Sequence, residues 1–162
     1  MHRGFYIAGQ KTVTYLKQYI GTFGIEGKIK VVITGYSRAG GASNAAGGLI
    51  DKALNNGENP FGKAVLAKND LYVYTFEAPR TTPDADHADT AKYGNIFNVV
   101  YRADIVCLVP SQKWGFERFG TDMVFSVESE EEGDYLYAKM KAQGYDDDRY
   151  MADDDEAADY LS

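Results

Sequence analysis

The chain has 162 residues, 44% of them hydrophobic, with 17 basic against 24 acidic side chains, a formal charge of −7 and a pI near 4.8. That length suits one domain able to bury about 68–70% of its unfolded surface. The acidic balance excludes nucleic acid and anionic membrane surfaces as partners, because both would be repelled.

No apolar run reaches the roughly 18 residues of a spanning helix, and the opening MHRGFYIAGQ lacks the apolar core of a signal peptide. The sequence therefore predicts a soluble protein without stable membrane insertion, and favours the cytoplasm. Cys107 is the single cysteine, so no internal disulfide can form. Set in DIVCLVP, it reads as a small buried hydrophobe rather than a reactive thiol. Two histidines and one cysteine, far apart in the chain, make no zinc spacing, and neither a metal nor a cofactor is expected.

From Phe5 to Ile20, Phe5, Ala8, Val13, Leu16 and Ile20 recur at helical spacing and GTFG closes the helix. KVVITGY, Lys30 to Tyr36, is short and β-branched and predicts a buried strand. GGASNAAGGLIDKAL then returns to helical period until NNGENPFG, and its Gly and Ala content predicts a helix packed tightly on the sheet. DLYVYTFEAP, Asp70 to Pro79, alternates aromatic and aliphatic residues up to a proline, as a second strand should.

RTTPDADHAD reads as a polar loop leading into a short helix before Tyr93. A third strand, Asn95 to Tyr101, delivers Arg102 and Asp104 into a loop before Pro110. Trp114, in QKWGFERFG, is expected to half-cover the sheet edge, and FGTDMVFSV offers a fourth strand. Beyond Glu128 the chain turns acidic. Its Asp-rich stretches lack the central glycine and terminal glutamate of a calcium loop, and they read as a solvated helix followed by a loosely ordered tail. This divides the chain into an α/β core, residues 1–127, and an acidic segment, residues 128–162. Strands interleaved with helices predict a mostly parallel sheet with helices on both faces, its site at the carboxyl ends of the strands.

The stretch KVVITGYSRAGGASNAAGG, residues 30–48, holds the chemistry. A phosphate-binding loop needs Lys and Ser/Thr after its last glycine, but Gly40 is followed by Gly41 and Ala42; the dinucleotide pattern of three spaced glycines is not met either. Two readings remain: tight helix packing, and a strand-to-helix turn that presents Ser37 as a nucleophile. The order strand, Gly35, Ser37, Gly40-Gly41, helix favours the latter, because that turn is strained and needs small residues where strand and helix meet. The backbone N–H of Arg38, at the helix start, would then face a developing oxyanion. Its side chain is expected to lie exposed beside the serine.

These pieces resemble the class 3 lipases, α/β-hydrolases with a Ser, Asp, His triad. MHRGF resembles the family's His-x-Gly-Phe segment and ITGYSRAGG its nucleophile elbow, with Ala39 in place of a glycine. YTFEAPR resembles its Thr-Phe-Gly-x-Pro-Arg strand end, with Glu77 in place of the glycine. YRADIVCLVP and GFERFGTDMVF resemble its Asn-Asp-x-Val-Pro segment and the strand after it. The resemblance implies a partial α/β-hydrolase fold over the first 125 or so residues, an ester or lipid-like substrate, Ser37 as nucleophile and Asp104 as triad acid. A carboxylate at a strand end suits that role, although capping a turn or pairing with Arg102 would also account for Asp104.

Two family features are missing: no histidine follows Asp104, and the upstream strand that supplies a second oxyanion donor is absent. His2 and His87 are the alternatives for a base. His2 is expected to be frayed at the terminus, and His87 to be a charged surface group among aspartates. The expectation is a lipase-like serine hydrolase, truncated at both ends and nearly inactive without its base. The alternative is a non-catalytic α/β-hydrolase scaffold.

Overall fold

The computed structural model describes residues 2–83, 92–101 and 104–125. His87, Arg102, the helix expected before Tyr93 and the acidic segment lie outside the described residues.

The elements follow one another as α1 (Arg3–Thr22), β1 (Gly27–Tyr36), α2 (Ser37–Asn55), β2 (Ala64–Phe76), β3 (Thr82–Pro83), β4 (Ile96–Tyr101), α3 (Ile105–Leu108), β5 (Phe116–Glu117) and β6 (Thr121–Phe125). Strands β1, β2, β4 and β6 form a parallel sheet in that order. Two-residue strands β3 and β5 pair antiparallel beside it. Spatial order equals chain order, so the chain winds across the sheet in one direction.

Each element forms for a local reason. Along β1, Val31 and Ile33 point into the core while Val32 is 67% exposed, the period-two alternation of a strand covered on one face. Helix α2 is drawn onto that face by its glycines: a Cβ on Gly47 would lie 2.7 Å from Val73, and one on Gly48 would lie 2.2 Å from the Phe119 ring. Helix α1 packs on α2 by the same device, Gly9 facing Ala45. The core joins Ile20, Val31 and Ile33 to Ile50, Leu71, Val73, Ile96 and Phe119. Fully buried side chains such as Ile50, Leu71 and Ile96 each contribute about 1.5–3 kcal/mol. The two long helices lie on one face of the sheet, and no helix covers the other among the described residues.

Two expectations need correcting. Strand β2 begins at Ala64, six residues before Asp70, because the sheet absorbs the polar Lys68-Asn69-Asp70 interruption: Ile29 pairs Leu66, and the next aligned pair is already Val31 with Leu71. Trp114 does not half-cover the sheet edge. It sits on a single 3-10 turn, Gln112–Trp114, that ends at left-handed Gly115, and it is 74% exposed.

Candidate active site

Ser37 is the first residue of α2, directly after Tyr36 of β1, with a backbone φ of +53°. A non-glycine residue in that region costs on the order of 1–3 kcal/mol and persists only where its surroundings dictate it. They do so here. A Cβ on Gly35 would lie 2.4 Å from Ser43 Oγ and 2.5 Å from the Ala39 carbonyl, and Gly40 fits under the carbonyls of Gly35 and Phe76. Ser43 Oγ donates to the Thr34 carbonyl at 3.0 Å, stitching helix to strand.

The serine is half-buried and the Arg38 side chain exposed. No side chain caps α2, so the N–H groups of its first turn, Arg38 among them, are left for other acceptors at the positive end of a 19-residue helix.

Asp104 follows β4 and is half-buried. Its Oδ1 accepts from Val106 N at 2.9 Å, capping α3, and its own N–H donates to the Tyr101 carbonyl at 3.1 Å. The turn-capping role is therefore real, while Arg102 lies outside the described residues. Since β2 separates β1 from β4, Ser37 and Asp104 follow strands that lie two apart in the sheet, their axes about 9–10 Å from each other.

Between them lies Glu77, one residue past the Tyr36–Phe76 register pair and therefore level with Ser37. Its φ is +48°, a conformation glycine adopts freely. Its Oε2 accepts from Tyr101 N at 3.1 Å and from the Cys107 thiol at 2.9 Å, so one carboxylate ties down both ends of the loop that carries Asp104. Donor atoms of Glu77, Asp104 and Cys107 all lie within 4.8 Å of one another. Burial first, and then the Glu77 carboxylate, push the Cys107 thiol far above its ordinary range. That keeps the thiol protonated. Cys107 is fully buried, as its apolar setting predicts.

A polar layer beneath the strand ends fixes these positions. Fully buried Asn44 of α2 donates to Asn98 Oδ1 and the Phe119 carbonyl, both at 2.9 Å, and accepts from Thr81 Oγ1 (2.9 Å) and Phe119 N (3.0 Å). Thr75 Oγ1 donates to Asn98 Oδ1 at 2.6 Å. Arg118, 4% exposed, donates to the carbonyls of Ala78 (2.9 Å) and Cys107 (2.8 Å) and pairs with Asp122 at 2.6 Å. One guanidinium thus joins the end of β2, the helix behind Asp104 and the start of β6.

His2 is not frayed. Its backbone N–H donates to the Thr81 carbonyl at 2.7 Å, and its ring packs 5.2 Å from Phe5 and 6.4 Å from Phe116. Among the described residues no imidazole joins Ser37 and Asp104.

Sequence reasoning missed the structural parts of Glu77, Asn44, Asn98 and Arg118. Only Glu77 carried a signal, as an acidic side chain where the resemblance has a glycine.

A one-directional parallel sheet, a left-handed serine between strand and helix, and a carboxylate two strands along define an α/β-hydrolase-like protein. The model of the family Lipase (class 3) matches residues 1–114, and the chain belongs to that family. Three solved structures share the fold. A triacylglycerol lipase described as having a serine-protease triad at its catalytic centre is 21% identical, with a TM-score of 0.54 over 80% of this chain and 46% of its own. The triacylglyceride lipase of Rhizomucor miehei is 22% identical, with a TM-score of 0.52 over 76% and 44%. The lipase of Rhizopus microsporus var. chinensis is 21% identical, with a TM-score of 0.51 over 75% and 40%. The chain spans less than half the length of each of these. No curated protein matches it.

Proposed function

We propose that this chain is the nucleophile-bearing part of a lipase-like serine hydrolase that acts on carboxylic esters, including lipid esters, through an acyl-enzyme at Ser37. The observation that carries the reading is the Ser37 backbone at φ +53°, held between β1 and an uncapped α2, since that strain serves presentation of a hydroxyl at the end of the sheet. Ser37 Oγ attacks the ester carbonyl carbon and gives its proton to a base. The carbonyl oxygen takes up the negative charge beside the Arg38 N–H, which is worth about 2.7–4 kcal/mol of barrier when well aligned. The leaving alcohol takes the proton from the base, and water then releases the acid and restores the serine.

Asp104 is the acid of this scheme. Its place in the loop after β4, two strands from the serine in the sheet, supports the role of orienting an imidazole set between the two. The base would be a histidine from outside the described residues, and without one in reach the serine would be a slow nucleophile.

A fluorophosphonate probe, read by intact mass with and without imidazole added as an external base, tests this. The expected result is a single adduct on Ser37, accelerated at least about tenfold by imidazole and absent from Ser37→Ala. No adduct at Ser37 at any imidazole concentration overturns it. That outcome would favour a non-catalytic scaffold, a reading to which Glu77 lends support by setting a second carboxylate beside Asp104.

A further inference from the structure

Glu77 occupies a position where the backbone alone would favour glycine. Its φ is +48°, a region in which a Cβ crowds the chain, so nothing local selects a glutamate there. Its N–H still donates to the Val99 carbonyl at 2.9 Å, which carries the ladder between β2 and β4 one residue past the end of β2. From that anchor the carboxylate reaches Tyr101 N and the Cys107 thiol. Two departures from the lipase pattern thus touch each other: Glu77 stands at its glycine, and Cys107, three residues after Asp104, stands at the proline of its Asn-Asp-x-Val-Pro segment.

The Cys107 sulfur lies between two carboxylates, 2.9 Å from Glu77 Oε2 and 3.9 Å from Asp104 Oδ2. A thiol has one hydrogen to give, and the shorter contact takes it. The cysteine is held in place on both sides. Its N–H donates to the Asp104 carbonyl at 3.1 Å, and its own carbonyl accepts from Arg118 at 2.8 Å. Burial and the Glu77 carboxylate together keep the hydrogen on sulfur. Asp104 Oδ1 is engaged by Val106 N at 2.9 Å, so Oδ2 is the oxygen left without a close donor among the described residues.

We propose that Glu77 is a positioning residue for Asp104: it draws the Cys107 hydrogen to itself and so leaves Asp104 Oδ2 open to accept the N–H of an imidazole. The inference rests on the reading of Asp104 as the acid of the ester hydrolysis. A carboxylate that already accepts from a neighbouring thiol has less to offer an imidazole, whose orientation and positive form both depend on that hydrogen bond. With glycine at position 77, the thiol hydrogen would turn to Asp104, and Tyr101 N, at the start of the loop, would lose its acceptor. The second carboxylate is therefore a shield for Asp104 against the cysteine behind it.

The infrared S–H stretching band, to which Cys107 alone contributes, reads which carboxylate holds the hydrogen. Asp104→Asn should leave the band in place, Glu77→Gly should move it to higher wavenumber, and the Glu77→Gly/Asp104→Asn pair should carry it on to the position of a thiol without an acceptor. Labelling of Ser37 by the fluorophosphonate in the presence of imidazole reads the consequence. Glu77→Gly should cut the acceleration by imidazole at least about threefold. Adding Cys107→Ala to that variant should restore about half of it or more, because the competing hydrogen is gone; a loop that had merely loosened would gain nothing from losing a buried side chain. A band that moves with Asp104→Asn and not with Glu77→Gly overturns the inference, as does a Glu77→Gly defect that Cys107→Ala leaves unrelieved. A parent chain that takes no label at all overturns the hydrolase reading instead, and the band pattern then decides by itself whether Glu77 holds the hydrogen.

Discussion

Replacing Asn44 by alanine tests whether the buried polar layer supports the strand ends. Two of its partners keep another bond: the Phe119 carbonyl still accepts from Asn98 Nδ2, and Asn98 Oδ1 still accepts from Thr75. The Thr81 hydroxyl and the Phe119 N–H lose the acceptor they share. At about 1–3 kcal/mol for each orphaned buried donor, Asn44→Ala should destabilise by about 2–6 kcal/mol, a large part of the roughly 5–15 kcal/mol that holds such a domain. Urea unfolding followed by circular dichroism should show the midpoint falling by about 1–3 M with the slope unchanged, for a slope near 2 kcal/mol/M. Thr81→Val removes one of the orphans, so it should cost less in the Asn44→Ala background than alone, by about 1 kcal/mol or more. A loss below about 1 kcal/mol for Asn44→Ala, or strict additivity of the pair, would refute the reasoning.

Three further outcomes are expected. Ser37→Gly and Ser37→Ala should both abolish probe labelling, but the glycine variant should be about 1 kcal/mol the more stable, because only glycine is at ease at φ +53°; equal melts would remove the case for strain. Asp51 is fully buried with neither carboxylate oxygen hydrogen-bonded among the described residues, and burial raises its pKa against the pull of Lys68 at 3.7 Å. The native state then holds that proton more tightly than the unfolded chain, so stability contributed by protonated Asp51 is present near pH 4 and is lost as pH rises through the raised value. Asp51→Asn should make the protein about 1–3 kcal/mol more stable at pH 7 and flatten that decline, as denaturation at a series of pH values will test. Gly48→Ala drives a methyl into the Phe119 ring and should cost about 1–3 kcal/mol, whereas Gly21→Ala, with open space around it, should gain about 0.5–1 kcal/mol; similar melting shifts for the two would count against close helix packing.

The signals legible in the sequence were local ones. Val31 to Ile33 followed by Gly35, Ser37 and Gly40 marks a strand turning sharply into a helix, because only small residues fit that junction, and the structure has the turn at those positions. The third and fourth strands likewise lie within their expected bounds. What stayed hidden depends on partners far along the chain. Asn44 looks like a surface residue of a helix until Phe119, 75 residues away, turns out to bond both ends of its amide. Arg118 gives no hint that it spans Ala78 and Cys107. Strands β3 and β5, two residues each, are too short to leave any periodicity. Glu77 betrays its left-handed backbone only through the glycine it replaces, and the early start of β2 was masked by the three polar residues that the register irregularity absorbs.

The span that marks kinship and the span that must fold as a single body differ in this chain. The family match stops at residue 114, yet the Phe119 ring over Gly48, both backbone partners of Asn44 and the guanidinium that joins β2 to α3 all come afterwards. A piece cut at the end of the match would keep Ser37, Glu77 and Asp104 and lose the keystone beneath them. Any shorter version made for study must therefore run through β6, whose last residue, Phe125, closes the sheet.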